Sequence, residues 1–131
     1  MRFWGGFIIP HSSFLITKKE IFMAELQDKI ASVAQAALDS KNGQNISAIH
    51  VAKQTVLADW FVLATGTSNT HINTLADEVE FKVKEELGID PIRTEGRGNN
   101  MWILVDYGSV IVHVFTKEGR EFYKLDKLWT V

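Results

Sequence analysis

Gly66, Thr67 and Ser68 stand between an apolar run and an amphipathic one. Small residues at a strand-to-helix turn let a phosphate reach backbone amides at the positive end of a helix. Nucleotidyl-transferring enzymes begin this way. They also need two carboxylates, one residue apart on a neighbouring strand, to hold divalent metals in line with the transferring phosphate. No such pair is present: the stretch Ile92 to Glu95 offers Glu95 alone, and Asp106 sits at a turn. Asp77, Glu78 and Glu80 are close in sequence but fall in a helical pattern, where adjacent side chains point about 100 degrees apart. A helix cap built from small polar residues explains the same turn, and a nucleotide-binding or nucleotidyltransferase-like enzyme using Gly66-Thr67-Ser68 is the alternative function.

His71 and His113 do not make a metal site, because zinc usually needs three or four convergent ligands and a buried strand histidine is more often a hydrogen-bonded core residue. The chain has no Walker, G-x-S-x-G or H-E-x-x-H motif. No catalytic residue, metal or cofactor is therefore expected. Trp102, Tyr107, Phe122, Tyr123 and Trp129 cluster in sequence with Arg93, Arg97, Arg120 and Lys124. Trp, Tyr and Arg concentrate binding energy at protein interfaces. Phe122 and Trp129 read as core, whereas Trp102, beside a Gly/Asn-rich loop, and Tyr107, at a turn, are expected to be exposed on a protein-binding rim.

The element that must position this rim is Met101 to Thr116. Apolar arms from Trp102 to Val105 and from Val110 to Phe115 flank Asp106, Tyr107, Gly108 and Ser109, which is a hairpin signal. Neither arm alternates with polar residues, so both faces should be buried and helices should cover them. Leu26, Ile30, Val33, Ala34, Ala37 and Leu38 recur at helical spacing over Ala24 to Ser40, with a stop at Asn42-Gly43. Ile46 to Val51 and Trp60 to Ala64 read as strands joined by a turn over Ala52 to Asp59. Ile72, Leu75, Ala76, Val79, Val83 and Leu87 predict a second helix over Thr70 to Leu87, capped by Ser68 or Asn69 and ended by Gly88. Ile92 to Glu95 reads as a short strand, Gly96 to Asn100 as a polar loop, Lys117 to Arg120 as a charged connection, and Phe122 to Trp129 as a terminal helix. The fold class is α/β (α+β), a mixed five-stranded sheet flanked by helices.

With 131 residues, 46% of them hydrophobic, the chain builds one domain. Fourteen basic against sixteen acidic residues supply no global basic field for non-specific nucleic-acid binding. Without cysteine there is no thiolate chemistry. No apolar run reaches the roughly 18 residues of a membrane span. Residues 1–22 read as an N-terminal extension, loosely attached or the product of an upstream start codon; an organelle signal is the weaker reading because the segment has one Arg and an interrupting Pro10. Residues 23–131 form the domain.

Six blocks occur in order: Asp59 to Ser68, His71 with Leu75 to Asp77, Glu95-Gly96, Trp102 to Asp106 with Tyr107-Gly108, Val112 to Phe115, and Arg120 to Trp129. In combination they resemble the iojap family, the ribosomal silencing factors, over about residues 24 to 130. The resemblance implies a nucleotidyltransferase-like core without catalytic residues. It also implies a factor, not an enzyme, that binds the intersubunit face of the large ribosomal subunit through its fourteenth large-subunit protein. Docked there, such a factor blocks small-subunit joining and lowers translation when nutrients are short. The bacterial cytoplasm is the expected location because the sequence carries no convincing transit peptide, although the family has organelle members. Carried over by residue, the ribosome-binding positions are Trp102, Asp106, Tyr107 and Gly108. The resemblance implies no membrane or sequence-specific nucleic-acid partner, and homodimerisation is left open. This chain departs from the family at Asn100, where Gly is usual, at Thr70, often Arg, and at Ser109, commonly Asp.

Overall fold

The computed structural model describes residues 17–50, 60–98 and 101–123, with side chains through residue 121. The chain runs through α1 (Lys18–Ser40), β1 (Gln44–His50), β2 (Trp60–Gly66), α2 (Asn69–Leu87), β3 (Arg93–Glu95), β4 (Trp102–Asp106), β5 (Val110–Thr116) and α3 (Lys117–Tyr123). The five strands form one sheet in the order β1-β2-β5-β4-β3. β2 and β5 run parallel, and the other neighbours are antiparallel. This is the mixed five-stranded sheet flanked by helices that the sequence predicts.

Alternation sorts the strand residues between two faces. Val62, Ala64, Ile103, Val105, Val110, Val112 and Val114 meet Ile30, Ala34 and Leu38 of α1 and Leu75, Val79 and Val83 of α2 in one apolar core. At roughly 1.5 to 3 kcal/mol for each large apolar side chain buried, this layer dominates the folding free energy. The opposite face carries Phe61, Leu63, Thr65, Trp102, Leu104, Ile111, His113 and Phe115. Leu63, Phe115 and His113 are buried there as well. Of the two hairpin arms, β5 is buried on both faces except at Ile111, whereas β4 is buried on its helix side only, with Trp102, Leu104 and Asp106 half-buried, because less packs over the second face near the sheet edge. α3 packs against β5 and β2. Its Arg120 Nη1 donates to Thr65 Oγ1 at 3.0 Å and to the Asn45 carbonyl at 2.6 Å, while Nη2 donates to Ser47 Oγ at 3.2 Å.

α2 matches its predicted span: the Ser68 hydroxyl accepts from the His71 amide, and Gly88 closes the helix in the left-handed conformation at φ +70°. At the end of α1 the left-handed residue is Asn42, at φ +64°. Two helix boundaries differ from expectation. α1 starts at Lys18 rather than Ala24, so the boundary drawn between residues 22 and 23 falls inside it. The cause is a reciprocal cap: Thr17 Oγ1 accepts from the Glu20 amide, and the Glu20 carboxylate accepts from the Thr17 amide, both at 3.0 Å. Those bonds from the Thr17 backbone and then its side chain hold the Glu20 carboxyl below the usual range. The span read as a charged connection, Lys117 to Arg120, is the first turn of α3. The Ala52 to Asp59 turn, Asn99, Asn100 and residues 124–131 lie outside the described residues, as do the side chains of Phe122 and Trp129. Among the described residues no helix is long and apolar enough to cross a membrane.

Candidate protein-binding rim at the hairpin

The tip between β4 and β5 is held by its own backbone and by Asp106. The Tyr107 amide donates to the Val110 carbonyl at 2.8 Å, and the Ser109 carbonyl accepts from the Trp60 amide at 2.9 Å, tying the tip to β2. Asp106 Oδ1 accepts from the Gly108 amide at 2.7 Å, and Oδ2 accepts from Arg93 Nε at 3.1 Å. With its side chain 13% exposed, this carboxylate serves the turn first and has one edge left for a partner. Gly108 is exposed at φ +91°, a conformation that glycine adopts without the Cβ penalty, and a Cβ there would stand 3.1 Å from Ile92 Cδ1. Ile92 is 71% exposed and its amide donates to the Asp106 carbonyl at 2.7 Å, so an apolar side chain flanks the tip.

Trp102 lies at the other end of β4, about 13 Å from Asp106 along the strand. Its indole is partly buried, stacked on Phe115 with centroids 5.4 Å apart and planes 21° apart. The indole Nε1 donates to His113 Nδ1 at 3.1 Å. His113 is therefore the hydrogen-bonded core histidine expected from its place in a strand. Accepting at Nδ1 requires the neutral tautomer with the proton on Nε2, and that N–H is buried without a partner among the described residues. Burial pushes the His113 pKa down to about 4, against the opposing pull of the Asp106 charge.

Trp102 and Asp106 thus share one side of the hairpin, with Gly108 exposed at its tip. Tyr107 does not share it. The expectation that it is exposed is overturned: it is 7% exposed and belongs to the helix-side core. Burial, with Glu80 and Asp90 nearby, pushes its hydroxyl above the usual tyrosine range. The physical reason is parity. Tyr107 continues the inward set of Ile103 and Val105 beyond the end of the strand, a signal that was present in the sequence.

The Gly66 turn is occupied by its own helix. Thr67 donates its amide to His71 Nδ1 at 2.8 Å, and His71 Nε2 donates to the Lys41 carbonyl at 2.8 Å, so the imidazole staples the turn to the end of α1. A Cβ on Gly66 would come within 2.8 Å of Ile72 Cγ2, so glycine is required here by helix packing. The open depression beside it, about 550 Å³, is lined by Ser40, Lys41, Asn42, Gln44, Thr67, His71 and Thr74, without a carboxylate. Asp77 and Glu80 both hold Arg97. The cluster that sequence reasoning missed is Arg97 with these two carboxylates, which come together only when the loop after β3 folds against α2.

The family described as "Ribosomal silencing factor during starvation" matches residues 24–131. The ribosomal silencing factor RsfS of Bacillus subtilis is 37% identical over 103 residues, which cover 79% of this chain and 86% of the relative. A mouse protein named for mitochondrial assembly of the ribosomal large subunit is 33% identical over 96 residues, 72% of this chain and 42% of that protein. The crystal structure of a Chromobacterium violaceum protein superposes with a TM-score of 0.74 at 36% identity, covering 79% of this chain and 85% of the other. By sequence across the whole domain and by fold, the chain belongs to the ribosomal silencing factor family.

Proposed function

We propose that this protein binds the large ribosomal subunit at its intersubunit face, through the fourteenth large-subunit protein, and blocks joining of the small subunit by occupying that surface. The action is steric: it needs no cofactor and no covalent chemistry, takes place in the bacterial cytoplasm, and lowers translation when nutrients are short. The observation that carries the reading is the family match over residues 24–131. The hairpin supports it, offering a half-buried indole, an exposed glycine at the tip and the neighbouring exposed Ile92. In this reading Trp102, Asp106 and Gly108 meet the partner, and Tyr107 acts from behind by anchoring the tip.

The test is cosedimentation of the purified chain with isolated large subunits, together with a subunit-joining assay at low magnesium. The expected result is comigration and reduced joining. Trp102→Ala should weaken binding by about 2 kcal/mol or more, and the chain should stay folded with a lowered melting temperature, since stacking on Phe115 and the bond to His113 are lost. A variant that binds as tightly as wild type would remove Trp102 from the interface, and one that unfolds would assign it to the core, where truncation costs roughly 3 to 5 kcal/mol.

A further inference from the structure

His113 is an awkward choice for its position. It sits on β5 diagonal to Trp102, with Phe61 at a ring distance of 5.0 Å and Phe115 at 6.1 Å. It is 4% exposed, and its Nε2–H is buried with no acceptor among the described residues. An apolar side chain of similar size would fill this place with neither the desolvation of an imidazole nor an orphaned donor. What histidine supplies that leucine would not is one acceptor, Nδ1, aimed across the strands at the Trp102 indole. Stacking on Phe115 restrains the plane of the indole, but stacked rings slide and rotate in that plane. A directional bond to Nε1 removes that freedom and selects one orientation.

We propose that His113 is a positioning residue for the rim: its Nδ1 accepts the Trp102 indole N–H and holds the indole in the orientation with which it meets the ribosomal partner. The inference rests on the proposed contact role of Trp102. It predicts a division between stability and binding that a purely structural histidine would not show. An indole set before encounter loses less freedom on binding, so removing the acceptor weakens the complex without touching the contact surface itself.

The experiment compares the full chain with His113→Leu, His113→Asn and Trp102→Ala. Asparagine places Oδ1 close to where Nδ1 stands and so restores the acceptor. Each variant is melted, its binding to isolated large subunits is measured by cosedimentation well below its melting temperature, and the Trp102 indole N–H is followed by NMR. His113→Leu should melt no lower than wild type, bind about five- to tenfold more weakly, and show faster exchange of the indole proton. His113→Asn should recover most of the binding. The positioning role is overturned if His113→Leu binds like wild type while Trp102→Ala does not, or if His113→Asn is as weak as His113→Leu. A leucine variant that melts well below wild type, with binding lost in step, makes His113 a packing residue only and also overturns it. If Trp102→Ala binds like wild type, the contact role of Trp102 itself falls, and the positioning role falls with it.

Discussion

Tyr107 has a buried hydroxyl oxygen with no hydrogen-bond partner among the described residues. A buried hydroxyl left unpaired costs roughly 1 to 3 kcal/mol of desolvation, whereas the ring beneath it contributes by packing in the helix-side core. Tyr107→Phe keeps the ring and removes the cost, so it should raise unfolding stability by about 1 kcal/mol, seen as a higher urea midpoint with an unchanged slope. Since the ring anchors the tip from behind, large-subunit binding by this variant should match wild type. A lower midpoint would mean that the hydroxyl finds an acceptor in solution. At this scale the candidate site was legible in part. Trp102 and Asp106 lie on the half-exposed side because they alternate with Ile103 and Val105. The same parity carried one step past the strand turns Tyr107 inward, a signal present in the sequence but hidden because Asp106 to Ser109 reads as a turn.

At the scale of elements, what was legible is what buries an apolar stripe. α2 and the β4–β5 hairpin lie where periodicity puts them, because Ile72, Leu75, Val79 and Val83 and the two strand arms owe their places to burial. The first turn of α3, Lys117 to Arg120, was missed because its buried position is Gly119, whose Cβ would collide with Met101, and a glycine leaves no hydrophobic period. The start of α1 was missed for the opposite reason: Ile21, Phe22 and Met23 are 48%, 61% and 45% exposed, so its first turns carry apolar residues that do not face the core. Capping holds them instead. Thr17→Ala removes the hydroxyl that accepts from the Glu20 amide and should cost the helix start about 1 kcal/mol. Because these turns bury little, the loss stays local: amides of residues 18–23 should exchange about fivefold faster while the global urea midpoint hardly moves. A midpoint shift as large as the local one would show that the start of α1 folds as one unit with the core.

At the scale of the whole molecule, His113 links the binding rim to the stability of the sheet, since it stands on β5 between β2 and β4. Its folded pKa is about 4, below the ordinary value of 6.5, with burial lowering it and the Asp106 charge opposing. Below about pH 6.5 the unfolded chain takes up a proton that the folded chain refuses, so stability is fully present above that pH and falls as pH drops toward 4. The full span is on the order of 3 kcal/mol, of which about 2 should be gone by pH 5, a substantial part of the few to fifteen kcal/mol that hold a domain of this size. The Glu20 carboxyl, held low by its bonds from Thr17, acts in the same direction but lower in pH. The His113 contribution is isolated by difference: urea midpoints of wild type and His113→Leu, measured between about pH 7 and about pH 5, should diverge steadily, with wild type losing the ground. Parallel curves would mean that His113 takes up its proton in the folded state as readily as in the unfolded one. The same protonation turns Nδ1 from acceptor to donor and sets it against the Trp102 N–H, so large-subunit binding should weaken only where stability has already begun to fall.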